Sequence, residues 1–146
     1  MLKSFNGIIK NGTGSATTNL QKQIPLIAKQ FPEIADVYRG TINIQLESKD
    51  FRVSSPDFIT KAIDWRNGHT QDKKADGPEV FHFTRICIQP ANMPRYCMWI
   101  YGPQQSPHLK EPGYIEVIAQ TKIEGCQVEN TCILFIDDAK LDTAGR

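Results

Sequence analysis

The 146 residues are enough for one domain with a core of its own, without disulfide or metal staples. Apolar residues make up 40% and charged residues 23%, ordinary values for a globular protein, and the formal net charge is +1. That balance gives no electrostatic reason to expect nucleic acid or an anionic membrane as a partner, so any bound phosphate must be held locally, by backbone amides or a metal.

The opening residues, Met1-Leu2-Lys3-Ser4-Phe5-Asn6-Gly7, contain no signal-peptide hydrophobic stretch, and no apolar run approaches membrane-spanning length. A cytoplasmic location is expected. Phe5 to Lys10 reads as a short strand, closed by the turn-rich segment Asn11-Gly12-Thr13-Gly14-Ser15. Leu20, Ile24, Ile27 and Phe31 then recur near a helical repeat. Pro25 is costly inside a helix and well placed in a first turn, so a short helix is predicted from Pro25 to Gln30, ending before Pro32. Thr41 to Glu47 alternates: Ile42, Ile44 and Leu46 face one side, and Thr41, Asn43, Gln45 and Glu47 the other. This pattern predicts a half-buried strand with one polar face.

Phe51 and Val53 could add a strand piece, and Phe58 to Trp65 one or two helical turns. Asn67 to Pro78 reads as a long exposed loop. Strands are predicted at Val80 to Ile88 and Tyr96 to Tyr101, joined by the turn Pro90-Ala91-Asn92-Met93-Pro94. A loop from Gly102 to Gly113 follows, then strands at Tyr114 to Ala119 and Thr131 to Ile136. The polar tail from Asp137 is expected to fray. The fold predicted is mainly β, a small six-stranded β-barrel with one short helix and long loops, and a single domain over residues 1–146.

Four cysteines, Cys87, Cys97, Cys126 and Cys132, include no Cys-x-x-Cys pair and no zinc-like spacing to histidine. Cys87 and Cys97 fall among apolar neighbours, where a free thiol packs as a small hydrophobe, so the four are expected to be structural or incidental rather than a disulfide framework. Trp65 reads as a packing residue, and Arg66 with Lys73-Lys74 as solvated charge. His82 alternates with Phe81 and Phe83 and is expected to point opposite to both. Ser106 and His108 share a loop with no acid beside them, which gives no support to a hydrolase triad.

Two segments could carry chemistry. Gly12-x-Gly14 after a strand could be a nest of backbone amides for an anion, or only a turn. It matches neither the P-loop nor the dinucleotide fingerprint. Thr41 and Asn43, two apart on a strand, offer a hydroxyl and an amide oxygen, hard neutral ligands suited to Mg²⁺ that keeps water and phosphate in its shell. The alternative is a plain polar strand face.

In order along the chain, Gly7-Ile8-Ile9-Lys10-Asn11-Gly12-Thr13-Gly14, a helix, Tyr38-Arg39-Gly40-Thr41-Ile42-Asn43 and Tyr114-Ile115-Glu116-Val117-Ile118-Ala119 resemble the motifs of archaeal CTP-dependent riboflavin kinases. Those proteins carry Gly-x-Gly, Tyr-x-Gly-Thr-Leu-Asn and Leu-Glu-Val-Ile-Ala segments on a closed cradle-loop barrel. The resemblance implies that Gly12, Gly14, Ser15 and Ala16 line CTP and that Thr41 and Asn43 hold Mg²⁺. It implies transfer of the γ-phosphoryl group of CTP to the 5′-hydroxyl of riboflavin or a related molecule, giving FMN. The substrate-side loop would be Gln104, Gln105, Ser106 and His108. Here the chain departs from the family, with Pro103-Gln104-Gln105-Ser106-Pro107-His108 in place of a charged Glu-Arg-Thr-His-like segment. Ser15-Ala16 also replaces the family's Glu-Gly, and residues 48–80 have no counterpart. A non-catalytic nucleotide- or ligand-binding module on the same barrel is therefore the second expectation.

Overall fold

The computed structural model describes residues 1–10, 16–65, 78–103, 111–123 and 126–142. Among these the chain is mainly β. Strands β1 (Leu2–Lys10), β2 (Ile42–Leu46), β3 (Phe58–Ile59), β4 (Phe81–Pro90), β5 (Tyr96–Pro103), β6 (Tyr114–Ile118) and β7 (Thr131–Asp137) accompany one helix, α1 (Ala16–Ile27). The strands form one antiparallel sheet in the order β3-β4-β5-β6-β2-β1-β7, and a further β4–β7 pairing joins six of them in a ring. β3 sits outside the ring on the edge of β4.

The alternation in the strands fills the inside of the ring. Ile9, Ile44, Leu46, Ile86, Ile88, Met98, Val117, Leu134 and Ile136 make one continuous apolar cluster. A second cluster lies on the outward face of β4, β5 and β6. There Phe81, Phe83, Trp99, Tyr101 and Ile118 are covered by Leu20, Ile24 and Ile27 of α1 and by Phe31, Ile34 and Val37 after it. The outward face is therefore covered in this region, which is why Phe81 and Phe83 at the start of β4 are fully buried while His82 between them, pointing the other way, is exposed.

α1 corrects the predicted helix. It starts at Ala16 and carries Pro25 inside, near its end. A proline there forfeits the hydrogen bond to the carbonyl four residues back, a cost of about 3 kcal/mol in a helix interior. Complete burial of Leu20, Ile24 and Ile27, at about 1.5–3 kcal/mol each, outweighs it. The turn continues past Pro25, with the Ala28 amide donating to Ile24 O at 2.8 Å.

Three other expectations are revised. Phe58 to Trp65 holds strand β3 and a single bridge between Ile63 and Glu79 rather than helical turns. Trp65 is buried as expected, and its indole N–H donates to Glu79 Oε1 at 2.8 Å, a buried acid that periodicity does not reveal. Val53 forms only an isolated bridge, and its partner is Leu141 in the segment expected to fray. That tail is instead tied down through Asp142: a 3-10 turn spans Asp138–Lys140, Leu141 is buried, and the Asp142 amide donates to Arg52 O at 2.9 Å.

The tail also closes a seam in the ring. β3 pairs with β4 only at His82 and Phe83, and β7 pairs with it only from Cys87 onward. Between them the Arg85 amide donates to Asp57 Oδ2 at 2.6 Å, and Lys140 Nζ donates to the same oxygen at 2.8 Å and to Arg85 O at 3.3 Å. Side chains thus satisfy backbone groups that no strand reaches. Asp57→Ala is expected to cost about 1–3 kcal/mol, the penalty for stranding the Arg85 amide, measured as a lower denaturation midpoint at unchanged slope. A stability unchanged within a few tenths of a kcal/mol would show that water replaces the carboxylate without loss.

Candidate functional site

Asn43 lies on the outward face of β2. Its Cα neighbours are Lys10 on β1 and Glu116 on β6, and Glu116 alternates with Ile118 along β6, so Asn43 shares the face that carries the second apolar cluster. The predicted polar face is therefore not a solvated one. Asn43 is only 5% exposed, and its Oδ1 is buried with no hydrogen-bond partner among the described residues. An unsatisfied buried acceptor costs about 1–3 kcal/mol, and native proteins seldom keep one without a use for it.

Thr41 stands immediately before β2 and is half-buried, at the same end of the strand. Gly40 precedes it, and a Cβ there would meet only the Tyr38 ring, at 2.8 Å from Cε1. Tyr38 is anchored by its amide, which donates to Ala119 O at 2.9 Å, and Arg39 donates to Val37 O and Ala35 O, fixing the approach to β2. The other end of β2 is held by Gln45, whose Nε2 donates to Leu46 O and Pro112 O, and by the Leu46 amide bonded to Gly113 O at 2.8 Å.

Around Asn43 the charged groups are few and placed. Lys10 Nζ pairs with Glu129 Oε1 at 3.1 Å, and Glu129 adopts a left-handed φ of 72°. Glu116 is half-buried. Together with Glu111 it contributes to raising the Tyr114 phenol above its usual range, after the larger effect of burial. Deeper under α1, the Tyr101 hydroxyl donates to Gln23 Oε1, both side chains buried, and Trp99 Nε1 is a buried donor without a partner among the described residues.

The remaining predicted site residues divide simply. Ala16 is the first residue of α1. Gly12, Gly14 and Ser15, and Gln104, Gln105, Ser106 and His108, lie outside the described residues. The chain enters the first of these segments from Lys10, directly opposite Asn43. Sequence reasoning missed Glu116 as a neighbour of Asn43. The two are far apart along the chain, and only the β2–β6 register brings them together.

Thr41 and Asn43 fit a hard cation by the chemistry of their donors, two neutral oxygens of which one is buried and unpaired. No protein-family model matches the chain, and no curated protein matches its sequence. Among the described residues, no helix is long and apolar enough to cross a membrane.

Proposed function

We propose that this chain is a riboflavin-kinase-like phosphotransferase on a closed cradle-loop barrel, moving the γ-phosphoryl group of CTP to the 5′-hydroxyl of riboflavin with Mg²⁺. The observation that carries the reading is the buried, unpartnered Oδ1 of Asn43, set at one end of a ring of six strands beside Thr41 and opposite Glu116. Thr41 and Asn43 would hold the metal, which when bound neutralises charge on the phosphate oxygens.

The chain's own residues do the rest. Phosphoryl transfer of this kind needs positioning more than covalent chemistry. Gly12, Gly14, Ser15 and Ala16 would hold the nucleotide, and Gln104, Gln105, Ser106 and His108 the acceptor. Glu116, a half-buried carboxylate next to Asn43, takes the proton of the acceptor hydroxyl as the bond to phosphorus forms. The apolar cluster under α1 restricts water on the outward face, where hydrolysis of the nucleotide would compete.

The test is incubation with riboflavin, Mg²⁺ and either CTP or ATP, with FMN read by chromatography. FMN is expected with CTP, and Thr41→Ala is expected to lower the rate by about 10²-fold, the scale of one lost group in an electrostatic site. CTP binding without FMN, lost in the same variant, would assign the chain to the non-catalytic module. That outcome is favoured by the neutral Pro103–His108 segment. Absence of nucleotide binding by calorimetry would remove both readings.

A further inference from the structure

Cys87 on β4 and Cys97 on β5 stand directly opposite each other, with Sγ atoms 2.9 Å apart. Opposed residues of antiparallel strands have Cα atoms about 4.5–5.5 Å apart, inside the about 4.4–6.8 Å that a disulfide spans. All four thiols are free, as expected, but this pair stands close enough to join. Cys97 is exposed and Cys87 half-buried, on the outer surface of the ring rather than in its core.

A cation is fixed beside them. On the next strand Phe135 is the neighbour of Cys87, and the Arg95 guanidinium lies over the Phe135 ring, 3.7 Å from its centre. Arg95 stands immediately before β5, two residues ahead of Cys97. The positive charge is felt at the pair, where it partly counters the effects that raise Cys87. We propose that Cys87 and Cys97 form a thiol–disulfide exchange site that accepts small anionic disulfides, with Arg95 selecting for negative charge.

Exposed Cys97 is the entry point. Its thiolate attacks one sulfur of the small disulfide, forming a mixed disulfide and releasing one thiolate. Cys87 gives its proton to solvent, and its sulfur attacks Cys97 Sγ, expelling the second thiolate. The protein loses two hydrogens and two electrons, and one small disulfide becomes two thiols. Burial first, and the contact with Cys97 second, push the Cys87 thiol up to about 11, which leaves the first attack to exposed Cys97. Cys132 is a poor competitor: it is buried, and burial pushes its thiol up to about 11 as well.

The experiment treats the full chain with oxidised glutathione (anionic), hydroxyethyl disulfide (neutral) and cystamine (cationic), followed by intact mass and peptide mapping. Oxidised glutathione is expected to react fastest and to leave a Cys87–Cys97 cross-link with no retained adduct. Cys87→Ser should stop at a mixed disulfide on Cys97, and Cys97→Ser should take no label at Cys87 over the same time. Arg95→Gln should narrow the anionic-to-cationic rate ratio by about threefold, the scale of one exposed charge pair. A persistent mixed disulfide in the unsubstituted chain, a cross-link mapped to Cys126–Cys132, or equal rates for all three reagents would overturn the proposal. None of these outcomes bears on FMN formation.

Discussion

Asn43→Leu is expected to make the folded protein more stable by about 1–2 kcal/mol while abolishing FMN formation. The gain comes from removing an acceptor that is buried and unpaired among the described residues, at a position where a side chain of similar size fills the same space. The loss comes from removing an oxygen that, in the proposed reaction, holds the metal against the nucleotide phosphates. A residue kept at a cost to stability marks a site where function and folding pull apart. Urea denaturation supplies the first number and the chromatographic assay the second. A destabilised variant would instead make Asn43 a packing residue, and the proposed metal site would lose its main support.

Gly113→Ala is expected to destabilise the chain by about 3 kcal/mol, from two sources. Gly113 has φ +72°, where an L-residue costs about 1–2 kcal/mol. A Cβ there would also lie 2.8 Å from Ser48 O and 3.1 Å from Leu46 O, backbone atoms that cannot rotate away. The same turn accepts the Leu46 amide, so the strain falls on the end of β2 and the start of β6, the two strands that bring Asn43 to Glu116. The variant should therefore lower the thermal midpoint and the FMN rate together. An unchanged midpoint would mean that the turn refolds locally. By contrast, Gly40→Ala meets only the ring of Tyr38, which is 47% exposed and free to swing, so a small effect is expected there.

Much of the fold could be read along the chain because period-two alternation is a local property. β2, β4, β5, β6 and β7 fall within two residues of their predicted bounds, β4 and β5 running two residues on through Pro90 and Pro103. The helix was read short because Pro25 carries a local penalty, whereas the burial that overrides it is tertiary. The tail was read as loose because it is polar, yet its order comes from Val53, Arg52 and Arg85, none of them close in sequence.

The site divides the same way. The sequence by itself determined that Thr41 and Asn43 lie together at the head of an alternating strand, because side chains two apart on a strand share a face. It also determined that Ile42, Ile44 and Leu46 of β2 share the opposite face, the one that packs into the ring. Only the tertiary structure decided that the opposite face is covered as well, which turns Asn43 from a solvated amide into a buried one with an unpaired oxygen. The same is true of the Asn43–Glu116 and Cys87–Cys97 pairs. Which residues meet across neighbouring strands is set by register and strand order, and those depend on the packing of the whole ring rather than on any one segment.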